Sequence, residues 1–162
     1  MPLIYLRHGD DRNDDIYRHD RPLTPRGKKK AEKCAKRLIE KYGHPDAVYV
    51  SPFRRTLETL TALSTRFTRP VSVHRDPRIA QYLSERQQRA PSLSPETAAQ
   101  ITILEDVSAF RHRVHAHVEE LRRASGVLWC VTHQAVIDVV ADHLDVKISG
   151  SLDFLDHLVV LR

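Results

Sequence analysis

Two histidines that each follow a short apolar run are the residues of this chain best suited to chemistry. Arg7 and His8 follow the run 3–6, and His133 comes soon after the run 127–131. A neutral imidazole can attack phosphorus, and a guanidinium donates paired hydrogen bonds to phosphate oxygens. Phosphoryl transfer depends mainly on positioning and on charge neutralisation, so these residue types are typical of it.

A third apolar run ends in residues of the same kind. The run 47–50 leads into Ser51 and Pro52, and two adjacent arginines, Arg54 and Arg55, follow. Neighbouring side chains on a helix point about 100° apart, so we expect only one of the two guanidinium groups to face a ligand.

The elements that must position these residues follow from the hydrophobic periodicity. Thr24 and Pro25 indicate a helix start, and Gly43 indicates its end. Short apolar runs alternate with helical patterns, which predicts an α/β fold, a three-layer αβα sandwich with a mostly parallel central sheet. Ligands of such sheets bind beyond the carboxyl ends of the strands, where the residues above would meet. The predicted strands are 3–6, 47–50, 71–74, 127–131 and 158–161, and the predicted helices are 25–42, 52–67, 107–121 and 135–144.

The length of 162 residues suits one domain, 1–162, and no apolar run is long enough to span a membrane, so a cytoplasmic location without a membrane partner is expected. A net charge of +5 favours anionic partners. The basic residues of the first predicted helix are interpreted as a solvated face, and no aromatic residues alternate with them, so nucleic acid is not the expected partner.

Two further groups of residues are interpreted as structural. Cys34 and Cys130 lie in apolar patterns and form no metal-binding motif, which predicts buried thiols. His112, His115 and His117 share one predicted helix, but no further ligands are placed near them, so an exposed cluster is expected and no metal site.

Four segments resemble, in order and in spacing, the histidine phosphatase superfamily of phosphoglycerate mutase-like proteins. The resemblance implies that His8 is the nucleophile and that His133 contacts the transferring phosphoryl group. It also implies that Arg7 and Arg55 bind phosphate, since the family pattern SPxxR selects Arg55 over Arg54, and that neither a metal nor another cofactor is used. Arg21 is a further candidate substrate contact. The segments are LRHGD, PLTPRG, VYVSPFRRTLETL and WCVTHQAVIDVV.

The general acid is the residue that the resemblance defines least. The family takes the leaving-group proton from a Glu after the third strand. Aligning "DPRIAQYLSER" on Arg78 puts Gln81 at that position, and an amide cannot donate a labile proton; aligning it on Leu83 puts Glu85 there. Glu85 is the preferred candidate, and Asp10 or Asp11 beside the nucleophile is the alternative.

The expected function is a metal-independent phosphatase that hydrolyses a phosphomonoester or phosphoprotein through a phosphohistidine on His8. The start of the chain is also similar to the short phosphohistidine phosphatases of the SixA branch, which lack the usual Glu. The expected partner is a phosphorylated small molecule or phosphoprotein, and the sequence predicts no oligomeric state. The alternative is a weak or inactive pseudophosphatase that binds phosphate, which Gln81 favours.

Overall fold

A computed structural model of the chain describes residues 1–11, 21–83, 99 and 105–162. Five strands and four helices alternate along these residues. The strands are β1 (Pro2–Arg7), β2 (Ala47–Val50), β3 (Ser72–Arg75), β4 (Leu128–Thr132) and β5 (His157–Leu161); the helices are α1 (Pro25–Tyr42), α2 (Arg54–Ser64), α3 (Val107–Arg123) and α4 (Gln134–His143), and a 3₁₀ turn spans Pro77–Ile79.

The strands form one sheet in the order β3-β2-β4-β1-β5. All neighbours pair in parallel except β5, which runs antiparallel to β1 at the edge. Each face of the sheet has its own hydrophobic cluster: Leu3 and Tyr5 pack with residues of α3 and α4, whereas Ile4 and Leu6 pack with residues of α1 and α2. The predicted α/β fold with a mostly parallel sheet covered on both faces is confirmed.

Helix α1 has the ends that the sequence predicts. The Thr24 hydroxyl accepts a hydrogen bond from the Gly27 amide at 2.9 Å, Pro25 occupies the first turn, and Gly43 follows the last residue with a positive φ of 92°. A side chain at Gly27 would come within 2.4 Å of the Asp10 carbonyl oxygen. Close contact at Gly27 therefore packs α1 against the segment that follows β1.

Helix α2 is shorter than the pattern predicts at both ends. It begins at Arg54 because Phe53 keeps an extended backbone (φ −69°, ψ 145°) as the residue before the first turn. It ends at Ser64, so Phe67 lies beyond the helix, although its ring still contacts Trp129 with the centroids 5.7 Å apart. The hydrophobic spacing persists past the helix end because Phe67 packs into the same cluster.

Both cysteines are unpaired and buried, Cys34 in α1 and Cys130 in β4, as predicted. Within the described ranges no helix has the length and apolar character that crossing a membrane requires.

Candidate active site

The carboxyl ends of β1, β2 and β4 meet at one edge of the sheet. The register pairs Arg7 with Thr132, so the next residues of the two strands, His8 and His133, lie side by side, with ring centroids 5.4 Å apart. A cavity of about 360 Å³ opens at this edge. Its described lining consists of Arg7, His8, Asp11, Arg21, Arg55, Gln81, His133, Gln134, Ala135, Asp138 and Phe154.

His8 has a fixed tautomer. Its Nδ1 lies 2.8 Å from the Gly9 carbonyl oxygen, and because a carbonyl only accepts, the proton is on Nδ1 and the lone pair is on Nε2. Burial and the nearby positive charge of Arg55 hold the pKa of His8 well below its ordinary value of 6.5. The His8 amide donates to the Thr132 carbonyl at 3.0 Å, which ties the loop to β4. The ring is therefore a neutral base with a free Nε2 lone pair.

His133 is held by contacts at both ring nitrogens. Nη2 of Arg55 lies 3.2 Å from Nδ1, and because a guanidinium only donates, Nδ1 accepts and the proton is on Nε2. Nε2 then donates to the Ser51 hydroxyl at 2.7 Å. Burial, Arg55 and His8 lower the pKa of His133 well below 6.5. Ser51 is the first residue after β2, so the ends of β2 and β4 jointly orient this ring.

Arg55 is the buried member of the arginine pair. Its side chain lies in the first turn of α2 with its Cζ 4.9 Å from the centroid of the Phe53 ring, and Nη2 also donates to the Gln81 side-chain oxygen. Arg54 is exposed and pairs with Glu58 at 2.8 Å on the outer face of the helix. The expectation that only one of the two guanidinium groups faces inward is confirmed.

Arg7 is held in place by contacts with the segment that precedes β5. Its Cζ lies 4.4 Å from the centroid of the Phe154 ring, and Nη1 donates to the Leu152 carbonyl. The same Phe154 ring lies 5.6 Å from the ring of His8. No motif marks Phe154 in the sequence, so its contact with both residues is visible only in the structure.

Two more charged residues line the cavity beside His8. Nη2 of Arg21 lies 3.2 Å from the Asp11 carboxylate, and Nε of Arg55 lies 3.8 Å from the same oxygen. Asp11 is therefore the ion-pair partner that aligns two guanidinium groups. Asp10 contributes its carbonyl oxygen to the Thr24 amide at 2.8 Å, but its side chain is not part of the described lining.

The structure describes one of the two positions considered for the general acid after the third strand, Gln81, but not the other, Glu85. Gln81 lies in the cavity wall against Arg55, just after the 3₁₀ turn. That turn is tied to β4 because the Thr132 hydroxyl donates to the Ile79 carbonyl at 2.7 Å. Glu85 lies outside the described residues, so its role stays a prediction.

Helix α4 starts directly after His133 and adds two polar residues that the sequence analysis did not select. The Gln134 amide group donates to the Asp138 carboxylate at 2.5 Å, and its oxygen accepts from the Leu152 amide at 3.1 Å. Gln134 thus joins α4 to the segment that holds Arg7. Asp138 lies one turn along the helix, at a spacing that could have revealed it once the helix start was placed.

The histidines of α3 differ from the expectation of an exposed cluster. His117 is fully buried, with Nδ1 3.0 Å from the Asp76 carboxylate and Nε2 3.6 Å from the Cys130 sulfur. Although burial raises the pKa of Asp76, hydrogen bonds from His117 and Arg78 hold it well below its usual range. The hydrogen bond from His117 holds Asp76, the residue directly before the 3₁₀ turn, against α3. Among the residues that the structure describes, no three side chains of the metal-binding types converge.

The cavity combines three guanidinium groups with two neutral imidazoles. The fork of each arginine can donate pairs of hydrogen bonds to a tetrahedral oxyanion, and burial strengthens such contacts. A phosphate dianion is the ligand whose charge and shape these groups complement best.

Solved structures share the fold at low identity. The histidine phosphatase SixA complexed with tungstate matches at a TM-score of 0.57 and 22% identity, covering 87% of this chain and 75% of that chain. The phosphoglycerate mutase from Bacillus anthracis matches at 0.70 and 17%, covering 99% and 88%. A mycobacterial glucosyl-3-phosphoglycerate phosphatase with bound VO3 matches at 0.63 and 20%, covering 96% and 88%.

Among curated proteins, none is similar enough in sequence to this chain to count as a relative. The sequence model of the histidine phosphatase superfamily (branch 1), in contrast, matches residues 3–154, which is nearly the whole chain. The chain belongs to branch 1 of the histidine phosphatase superfamily.

Proposed function

We propose that this protein is a phosphatase that hydrolyses a phosphomonoester or phosphoprotein through a phosphohistidine on His8. The observation that carries the proposal is the 2.8 Å contact between Nδ1 of His8 and the Gly9 carbonyl. It keeps the proton on Nδ1, so Nε2 has the lone pair that a nucleophile needs at the edge of a cavity rich in arginine.

In the first step Nε2 of His8 attacks phosphorus and forms a P–N bond. The bond from phosphorus to the leaving group breaks, and its electron pair stays on the leaving atom, which takes a proton from a general acid. Arg7, Arg21 and Arg55 donate to the phosphoryl oxygens and neutralise their charge as the bonds change.

In the second step a water molecule gives a proton to the carboxylate that the general acid became in the first step, and its oxygen attacks the phosphorus of the phosphohistidine. The P–N bond breaks, its electron pair returns to Nε2, and inorganic phosphate leaves. A dianionic phosphoryl group next to His133 favours protonation of that ring, whose pKa is low in the empty cavity because of burial and Arg55. Protonated His133 can then donate from Nδ1 to the phosphoryl oxygens.

Glu85 remains the preferred general acid of this proposal. The position of Gln81 against Arg55 favours a second candidate function, in which the cavity holds phosphate or a phosphorylated protein and turns it over slowly or not at all. An aryl phosphate, whose leaving group needs little protonation, isolates the attack by His8 from the general acid. It distinguishes the two functions, because a phosphatase cleaves it and a protein that only holds phosphate does not.

The test is turnover of p-nitrophenyl phosphate with EDTA present. Wild-type protein should turn the substrate over, His8→Ala should abolish turnover, and the exposed control His74→Ala should retain it. Acid-labile, base-stable phosphate should accumulate on the wild-type chain during turnover, where rapid quenching detects it, and should be absent from His8→Ala. Equal turnover by wild type and His8→Ala would refute the nucleophile, and no turnover by wild type would favour the phosphate-binding function.

A further inference from the structure

Helix α1 presents a stripe of positive charge beside the active site. Arg26, Lys29, Lys30 and Lys33 are exposed and lie three or four positions apart, so they share one side of the helix; we name these four residues the α1 cationic face. Two other lysines of α1 have acidic partners, since Lys28 pairs with Glu58 and Lys36 with Glu40. Within the described part of the chain, the α1 cationic face forms no such ion pair.

This charge opposes the local preference of the helix. The amino-terminal end of a helix carries partial positive charge, so acidic side chains stabilise it and basic ones do not. The first turn of α1 contains no acidic residue, and Arg26 lies in it. Violations of local rules of this kind are typical of functional positions, where binding compensates for the cost in stability.

The α1 cationic face borders two hollows, one of which shares a wall with the catalytic cavity. The first hollow, about 400 Å³, is lined by the four residues of the face and Pro25. The second hollow, about 780 Å³, shares Lys30 and Lys33 with the first and reaches Phe154. Phe154 also lines the catalytic cavity, where its ring contacts Arg7 and His8. Phe154 therefore forms a wall common to the second hollow and the catalytic cavity, and Lys30 and Lys33 form a wall common to the two hollows.

The far side of the second hollow carries the opposite charge. Asp153 and Asp156, in the segment before β5, line it together with the cations of α1, whereas Glu40 belongs to α1 itself and pairs with Lys36. A uniformly negative polymer such as a nucleic acid would be repelled by these carboxylates, whereas a polypeptide can present acidic residues to the cationic face and basic or neutral ones to the carboxylates. The mixed charge of the second hollow therefore favours a protein partner over a nucleic acid.

We propose that the α1 cationic face binds an acidic segment of a phosphoprotein substrate while the phosphoryl group occupies the catalytic cavity. This inference rests on the proposed phosphatase function and specifies its substrate class. An extended peptide covers about 3.3 Å per residue, so one polypeptide can present a phosphorylated residue and an acidic segment at separate places along its length.

The test measures binding of labelled peptides to the full chain carrying His8→Ala, by fluorescence anisotropy. One peptide contains a phosphoserine followed, after a four-residue linker, by six acidic residues; a second peptide has serines in place of the acidic residues. The acidic peptide should bind about tenfold more tightly than the neutral one at low salt. Adding Lys30→Glu with Lys33→Glu should remove this difference, and the matched charge change Lys41→Glu with Lys147→Glu, outside both hollows, should preserve it.

Equal loss of binding in both double variants would overturn the proposal, since it would show that binding of the acidic peptide depends only on the net charge of the protein. Tighter binding of a deoxythymidine oligonucleotide of matched charge would also overturn it and favour a nucleic-acid partner. The two proposals fail separately. If the wild-type protein does not turn over p-nitrophenyl phosphate but the His8→Ala chain still binds the acidic peptide more tightly than the neutral one, the docking surface is supported and hydrolysis is refuted.

Discussion

Nη2 of Arg55 lies 3.2 Å from Nδ1 of His133, so a guanidinium and a neutral imidazole share one hydrogen bond at the centre of the cavity. The same nitrogen of Arg55 donates to Gln81. An entering phosphoryl group competes for these donors, so binding of substrate requires Arg55 to exchange its hydrogen-bond partners.

Replacing Arg55 by lysine should lower kcat/KM for p-nitrophenyl phosphate by about 100-fold, because a lysine ammonium cannot reproduce the paired donors of the guanidinium. Inhibition by tungstate, a phosphate analogue, should weaken in parallel. Arg54→Lys is the matched control, since Arg54 is the adjacent residue on the exposed face. Similar losses in both variants would mean that Arg55 has no special role.

The two functions predict different effects on kcat for a substrate with a poor leaving group, such as a phosphoserine peptide. With Glu85 as the general acid, Glu85→Gln should lower kcat on this peptide, and Gln81→Glu should have little effect. With no general acid in the cavity, Gln81→Glu should raise kcat at least about tenfold, because it adds a carboxyl that can donate a proton, and the gain should be much smaller on p-nitrophenyl phosphate, whose leaving group needs little protonation. Unchanged kcat in Glu85→Gln would remove Glu85 as the general acid.

Thr59 should be important for stability although it touches no substrate. Its hydroxyl accepts from the Gly9 amide at 2.9 Å and donates to the Arg55 carbonyl at 2.6 Å. Thr59→Val leaves a buried amide without its acceptor and should lower the free energy of unfolding by about 1–3 kcal/mol. Thr61→Val, on the exposed side of the same helix, should change it by less than about 0.5 kcal/mol. Urea unfolding measures both values, and equal effects would contradict the prediction.

The two cavity histidines predict how stability depends on pH. Burial and Arg55 lower both pKa values in the folded state, so below the ordinary value of 6.5 the unfolded chain binds more protons than the folded one. The contribution of these histidines is fully present above that pH and is lost as the pH falls from 6.5 toward the lowered values. The melting temperature should therefore decrease between pH 7.5 and pH 5.

His133→Gln should make this decrease smaller, because one of the two titrating rings is gone. The comparison uses the slope with pH and not the absolute melting temperature, so a general loss of stability in the variant does not affect it. His74→Gln, on the exposed strand β3, is the control and should keep the wild-type slope. The same slope in His133→Gln would show that His133 does not contribute.

The sequence predicts the fold well where hydrophobic periodicity and end signals agree. The limits of α1 follow from Thr24, Pro25 and Gly43, and the run 47–50 coincides with β2. The periodicity overestimates α2 because Phe67 packs into the core from outside the helix. Packing of this kind depends on long-range neighbours, which a local pattern does not contain.

The candidate site likewise contains some residues that the sequence predicts and others that it does not. The strand ends place His8, His133 and Arg55 at one edge of the sheet, as expected. Phe154 belongs to the same cavity but lies in a segment without a motif, so only the assembled sheet brings it there. Asp138 lies within the segment WCVTHQAVIDVV, one helical turn after Gln134, where the spacing of the helix could have revealed it. His117 is expected in an exposed cluster with the other histidines of α3, but it lies three residues after Val114 and four before Leu121, on the buried face of the helix. Asp76 and Cys130 satisfy both of its ring nitrogens there.

The pairing of β1 with β4 has a consequence for how activity arises during folding. His8 lies near one end of the sequence and His133 near the other, and they become neighbours only when these two central strands pair. Contacts between residues so distant along the chain form late, because closing a long loop costs entropy before any contact repays it. A partly folded chain therefore has no active site, and recovery of turnover during refolding should coincide with the slowest structural phase.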